Sequence, residues 1–382
     1  MTFLFFFIIL SVLILIHELG HFLLAKKNGV KVEEFGFGLP PRIWGKKIKE
    51  TIYSINLFPF GGFVKLYGEE YHEIKNKKNK KKAFIYKKPW QKTMIVLGGV
   101  FMNLIFGIII FYFILGLNQF KSTPIPIILK NYQFNFGTQT KKVIIANVNE
   151  NSPASKTNIK EEDIVLKYRL NASHQWKNIS SASQFIEIIK NTKGEKITFE
   201  LINNKNHEKK IIEVKPIYNE KLKRYIIGVN LADVLILEYK KPIERFFAGF
   251  IHSYNLIDYN LKIFKHLFVS SIKEKNPSNI TQSLTGPVGI FAVVDDVVKK
   301  SGKKLIFNLL ELSALISLSL ALMNILPFPA LDGGRLVFII YEWITGKPSN
   351  KNIEKYVNFF GFLILISLAI LISINDFLKF FK

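Results

Sequence analysis

The sequence predicts a polytopic α-helical membrane protein with one inserted α+β domain. Hydrophobic residues make up 49% of its 382 residues and 35 of them are Phe, a composition typical of a membrane protein rather than of one large water-soluble core. About four stretches are long enough to span a bilayer. A polar segment of about 120 residues follows the second stretch, which is enough chain for one compact domain. The four predicted spans are 2–25, 93–117, 305–326 and 357–374.

The distribution of charge predicts how these spans are oriented. The net charge of +24 is compatible with nucleic-acid binding, but the lysines are scattered, and loop 26–92 holds 17 Lys and Arg against 6 Asp and Glu. Such a loop beside two spans indicates the cytoplasmic side and attraction to anionic lipid. We therefore expect the lipid bilayer as a partner and no nucleic acid. The N-terminus and residues 118–300 are predicted outside, and a short loop at 327–356 inside.

The first predicted span carries the motif HELGH. His17 and His21 are one helical turn apart, so both imidazoles project from the same face, with Glu18 beside them. Ionisable side chains at lipid depth are unfavourable without a partner. Two His and one Glu at this spacing suit a zinc ion with its general base. A buried structural pair of histidines is the alternative. The absence of cysteine excludes thiolate ligands and disulfide partners.

A third ligand is expected from the other end of the chain. Pro327 and Pro329 interrupt the third span, and Asp332 follows at the cytoplasmic side, where the first span also ends. Two His and one Asp leave the fourth zinc position for water, whose pKa the metal lowers and whose proton Glu18 can accept. This set predicts amide hydrolysis. A turn residue paired with Arg335 is the alternative role for Asp332.

The remaining segments give the predicted domain organisation. Residues 1–117 hold the first two spans and, at about 31–70, a β region expected to lie against the membrane. Residues 121–240 alternate strand patterns with helical stretches. Residues 241–304 hold an interfacial helix and a Gly-Pro turn, and residues 305–382 hold the last two spans. Asn103 lies in the second span. We expect it to bind a neighbouring helix through a hydrogen bond, and a contact beside the metal is the alternative role.

The two motifs HELGH and NILPFPALDGG together resemble those of the site-2 protease family of intramembrane zinc metalloproteases. The closest branch is that of the bacterial regulator of sigma-E protease, also called RIP metalloprotease. Further similar segments are GFG at 36–38, FPFGGFVKL, KPWQKTMIVLGGVFMN and TGPVGI. Arg335 departs from the pattern, because the closest branch often has His after LDGG.

The resemblance implies a site and a function. It implies one Zn²⁺ per chain, held by His17, His21 and Asp332, with Glu18 as catalytic base. Asn324 would hold substrate backbone near the metal. The region 48–66 is similar to a membrane-associated β-hairpin whose edge pairs with an extended substrate strand, and the inserted domain is similar to a PDZ domain. The implied residues of that hairpin edge are Gly61, Gly62, Phe63 and Val64.

By this resemblance, the expected function is regulated intramembrane proteolysis in the inner membrane of a bacterium. The expected partners are transmembrane proteins or peptides, such as anti-sigma factors and remnant signal peptides. A non-catalytic membrane scaffold with a PDZ-like domain is the alternative. A transporter is a weaker hypothesis, because the four spans show no inverted repeat.

Overall fold

The computed structural model describes residues 1–69, 77–129, 131–170, 175–203, 208–274 and 285–380. The chain forms two compact units, one of residues Met1–Ile114 with Gly249–Lys382, and one of residues Leu115–Ala248. Within the described residues, four helices are long and apolar enough to cross a membrane, as the sequence predicts. These helices are Thr2–Lys27, Pro89–Leu117, Gly302–Ile325 and Asn352–Lys379.

The first unit begins with two long helices that flank a β-sheet. Helix α1 spans Thr2–Lys27, strands β1 and β2 span Val32–Ile48 and Thr51–Leu66, and helix α2 spans Pro89–Leu117. Both helices are almost continuously apolar, because a bilayer helix must satisfy its backbone internally and present hydrocarbon to lipid. Lys26 and Lys27 in the last turn of α1 interact favourably with the negative end of the helix dipole.

The β1–β2 pair forms a sheet in which one segment is paired on both sides. Residues 34–37 of β1 pair with residues 52–55 of β2 on one side and with residues 62–65 of β2 on the other. Among the described residues, segment 62–65 therefore has a pairing partner on one side and lies at an edge of the sheet. The β region that the sequence predicts at about 31–70 is thus made of two long strands, with β2 folding back along β1.

The second unit is built on a seven-stranded sheet with the order β3-β11-β4-β5-β7-β8 and with β6 beside β5. Helix α3, Ala182–Asn191, begins at Ser181, whose hydroxyl accepts from the Gln184 N–H as helix-capping serines do. Its Phe185 stacks on Phe199 of the sheet at a centroid distance of 4.9 Å. The bounds are β3 Ile125–Pro126, β4 Thr138–Val148, β5 Ile164–Leu170, β6 Lys177–Asn178, β7 Ile197–Ile202, β8 Lys209–Val214, β9 Ile217–Asn219, β10 Arg224–Ile226, β11 Val229–Glu238 and helix α4 Pro242–Phe246.

Within the described residues, five further α-helices complete the first unit. They are α5 Ala248–Lys273, α6 Pro287–Lys300, α7 Leu305–Ile325, α8 Asp332–Thr345 and α9 Lys351–Phe380. The predicted connection 327–356 between the last two spans contains α8, a helix that is not predicted from the sequence. The Gly-Pro turn predicted at 284–290 is shorter than expected, because α6 begins at Pro287, a first-turn position where proline is tolerated. Residue 284 of that turn lies outside the described residues.

Candidate metal centre

Helices α1 and α2 approach each other closely at the HELGH motif. A Cβ built on Gly20 would lie 2.0 Å from the main-chain oxygen of Gly98, so the two backbones are in direct contact. A side chain at either position would push the helices apart, which is why small residues recur at such crossings in membranes. The crossing turns the face of α1 that carries His17 and His21 toward α2.

A tight turn brings Asp332 to the same place. Asp332 is the first residue of α8, where a carboxylate is favoured by the helix dipole. A Cβ on Gly333 would lie 2.1 Å from the oxygen of Leu326, and one on Gly334 would lie 2.2 Å from the oxygen of Phe328. The two glycines of LDGG therefore let α8 begin directly against the segment that ends α7.

Three donor atoms from the two ends of the chain meet at the centre. Asp332 Oδ2 lies 3.1 Å from His17 Nε2 and 3.4 Å from His21 Nε2, and the two Nε2 atoms are 3.2 Å apart. Zinc ligands at about 2.0–2.1 Å in a tetrahedron are about 3.3–3.4 Å from one another. Asp332 Oδ2 is buried and has no hydrogen-bond partner among the described residues. The donor set and its spacing fit a zinc ion.

Helix α2 supplies the contacts behind both imidazoles. His21 Nδ1 donates to the main-chain oxygen of Ile95 at 2.9 Å, which leaves its Nε2 lone pair free for a metal. The amide of Asn103 contacts His17 Nδ1 at 3.4 Å. Between them, a Cβ on Gly99 would lie 2.5 Å from His17 Nε2, so the imidazoles occupy the space that a side chain would take.

A cavity of about 330 Å³ adjoins the three donor atoms. Glu18 lines it, as do Asn324, Phe63 and Val64 among the other predicted site residues. Gly62 lies beside this wall, since its Cβ would be 3.7 Å from Glu18 Cγ, whereas Gly61 packs against Ile14. The predicted residues therefore lie close together, although Gly61 contacts Ile14 and does not line the cavity.

Arg335 lines the same cavity without pairing to Asp332. Its guanidinium forms an ion pair with Glu69, which follows β2, and lies 5.1 Å from the centre of the Phe84 ring. The alternative role of Asp332 as a partner of Arg335 is therefore wrong. Burial lowers the pKa of Arg335, but Glu69 reverses that effect and raises it, so the guanidinium stays charged. Sequence reasoning missed Glu69, because nothing in GEE distinguishes it from a surface residue.

Comparison with known proteins identifies the family. The family model described as Peptidase family M50 matches residues 5–368. The chain belongs to peptidase family M50. This M50 chain is a zinc metalloprotease of the site-2 type, as the two metal motifs predicted.

Similar curated proteins carry the printed name "Putative zinc metalloprotease". One from Clostridium acetobutylicum is 33% identical over 368 residues, which covers 96% of this M50 chain and 94% of the relative. One from Clostridium perfringens is 31% identical, and the match covers 96% of this M50 chain and 95% of the relative. One from Fusobacterium nucleatum is 28% identical over the whole length of both chains.

A solved structure also matches part of the chain. It is titled as the PDZ domain of an SdrC-like protein from Listeria monocytogenes, and the match covers 26% of this chain and 93% of that one, at 16% identity and a TM-score of 0.20. Because the TM-score is this low, the PDZ-like character of the second unit stays a prediction.

Proposed function

We propose that this protein hydrolyses peptide bonds in transmembrane segments of other proteins, at a zinc site within the bilayer. The observation that carries the proposal is the set of three donor atoms, 3.1–3.4 Å apart, of which two sit in a helix apolar and long enough to span a membrane. Zinc held there supplies a water of lowered pKa and polarises a carbonyl group. A soluble substrate would not require the site to lie in such a helix.

Each site residue has a specific part in the proposed reaction. His17, His21 and Asp332 would hold the metal, since each offers one ligand atom. Glu18 lines the cavity without being one of these three donors, so its carboxylate is available to take a proton from the attacking water and return it to the departing amine. Asn324, at the end of α7 and in the cavity wall, offers an amide to the substrate backbone.

The edge of the sheet supports binding of an extended substrate. Segment 62–65 pairs with β1 on one side, and its Phe63 and Val64 line the cavity that holds Glu18. A substrate strand added to this edge would run past the catalytic base with its main chain hydrogen-bonded. A transmembrane helix has to unwind before its peptide bond can reach a metal, and an edge strand offers the hydrogen bonds that unwinding removes.

The proposed location follows from charge and family. The protein would lie in the bacterial inner membrane with loop 26–92 in the cytoplasm, and with the N-terminus and the PDZ-like unit outside. Anti-sigma factors and remnant signal peptides are the proposed substrates, because the resemblance to the site-2 protease family implies them.

The Glu18→Gln variant tests the reaction. We expect the purified variant to hold one zinc per chain and to leave a model transmembrane substrate uncleaved in detergent or proteoliposomes, because an amide cannot accept the proton. Glu187→Gln, at an exposed position of α3, is the matched control and should cleave normally. Unchanged turnover in Glu18→Gln would refute the mechanism. A wild-type protein without zinc or cleavage would favour the non-catalytic scaffold.

A further inference from the structure

Asn103 lies on the side of His17 that faces away from the three donor atoms. Its Nδ2 is 3.4 Å from His17 Nδ1, and the residue is fully buried in α2. Its Oδ1 has no hydrogen-bond partner within the part of the chain that the structure describes. A buried amide oxygen without a partner costs free energy, so the orientation of this amide needs a reason.

The chemistry of the imidazole supplies that reason. If His17 offers the lone pair of Nε2 to a metal, the ring proton must sit on Nδ1. An N–H group needs an acceptor opposite it, and the NH₂ of an amide is only a donor. The oxygen and nitrogen of an amide are nearly identical in shape, so a half-turn of the amide brings Oδ1 to face Nδ1. In the orientation that the structure shows, the buried Oδ1 has no partner among the described residues, so the contact with a protonated His17 Nδ1 favours the half-turned amide.

We propose that Asn103 is a positioning residue for the metal ligand His17. In the zinc-loaded protein its Oδ1 accepts a hydrogen bond from His17 Nδ1–H and thereby fixes both the tautomer and the ring orientation. This inference rests on the proposed function insofar as His17 is a ligand. His21 has the equivalent arrangement, because its Nδ1 donates to the Ile95 oxygen at 2.9 Å.

The spacing along α2 supports this assignment. Ile95, Gly99 and Asn103 are each four residues apart, so they share one face of the helix. Ile95 contacts His21, Gly99 lies against both imidazoles, and Asn103 contacts His17. The main chain at Asn103 is held from the other side as well, since the hydroxyl of Ser317 donates to its oxygen at 2.8 Å. Helix α7 therefore fixes the turn of α2 from which the amide projects.

Zinc affinity, measured on the full-length protein in detergent, tests the proposal independently of cleavage. Competition with a chelator should show about 10- to 100-fold weaker zinc binding in Asn103→Leu, which keeps the volume but has no acceptor. Asn103→Asp keeps an acceptor toward His17 and should retain zinc as the wild type does. Ser313→Ala is the matched control, because it removes a buried hydroxyl of α7 that bonds within its own helix, to the Leu309 oxygen at 2.7 Å, and leaves the turn at residue 103 unchanged.

The outcomes separate this inference from the proposed function. Zinc affinity equal to that of the wild type in Asn103→Leu would overturn the positioning role, as would equal losses in the Asn103→Leu, Asn103→Asp and Ser313→Ala variants, which would indicate packing alone. A thermal unfolding curve for each variant identifies a failure to fold. A wild-type chain that binds no zinc would instead refute the proposed function itself.

Discussion

Replacing Gly99 by Ala should remove zinc from the protein while leaving the fold in place. The built Cβ lies 2.5 Å from both Cε1 and Nε2 of His17 and 2.6 Å from Nε2 of His21. Ordinary van der Waals contact begins at 3.4 Å. The imidazoles or the helix would therefore have to move by about 0.9 Å, whereas ligand distances at a metal site hold to within about 0.2 Å.

The same replacement should change the stability much less than it changes metal binding. Overpacking of this kind costs about 1–3 kcal/mol, and the change from Gly to Ala within a helix returns about 0.5–1 kcal/mol. The net loss in the free energy of unfolding is therefore at most about 2.5 kcal/mol. Zinc affinity, by contrast, depends on both His17 and His21 keeping their positions.

The assay is the zinc content per chain after dialysis against a chelator, with helical content from circular dichroism. Gly116→Ala is the matched control, because Gly116 also lies in α2 and its Cβ would meet no described atom within 4 Å. We expect about one zinc in the control and little or none in Gly99→Ala, with similar helical content. Full zinc retention in Gly99→Ala would refute the reasoning that the imidazoles fill the place of a side chain.

Three further changes have definite expected results. Asp332→Asn should weaken zinc binding by more than about 100-fold, because loss of a residue that only hydrogen-bonds to a ligand already costs about 10- to 100-fold. Titration with a chelator would show the difference. Arg335→Met should lower the free energy of unfolding by about 1–3 kcal/mol, because Glu69 loses its partner inside the cavity; Arg335→Lys should recover part of this in the same denaturant titration. Lys92→Met should lower the free energy of unfolding by about 3–5 kcal/mol, because Lys92 is buried and pairs with Glu342 at 2.8 Å. The double variant Lys92→Met with Glu342→Leu should regain most of this stability, because no unpaired charge is left buried. A double variant no more stable than Lys92→Met would contradict that account.

Two of the three candidate metal-binding residues were predictable from sequence because their chemistry is local. HELGH sets two imidazoles one turn apart on any helix, and this spacing needs no tertiary information. Asp332 required more, namely the inference that the end of the third span and the end of the first lie at the same side of the membrane. The distance of 3.1 Å between Asp332 Oδ2 and His17 Nε2 agrees with that inference.

Elements that depend on long-range partners were harder to predict. Helix α9 extends beyond the apolar stretch 357–374 at both ends, and its Asp376 is fully buried. A hydropathy window excludes such a residue, but the Asp376 carboxylate accepts from the N–H groups of Gly286 and Gly289 at 2.8 and 2.9 Å. Nothing near position 376 in the sequence reveals these donors, which lie about ninety positions away and bond to Oδ2 of the carboxylate, as a buried polar group requires.

Two neighbouring glycines in the second span have different structural roles, which the sequence alone does not distinguish. Gly98 allows the backbone of α2 to touch that of α1 at Gly20, while its neighbour Gly99 makes room for the imidazoles. Both read as packing glycines, since a bilayer helix uses small residues for close approach. The role of Gly99 becomes clear only from the residues four positions before and after it, because Ile95 contacts the His21 ring and Asn103 contacts the His17 ring. A small residue flanked at that spacing by a polar side chain, opposite an HExxH helix, is therefore better interpreted as part of a metal site than as packing alone.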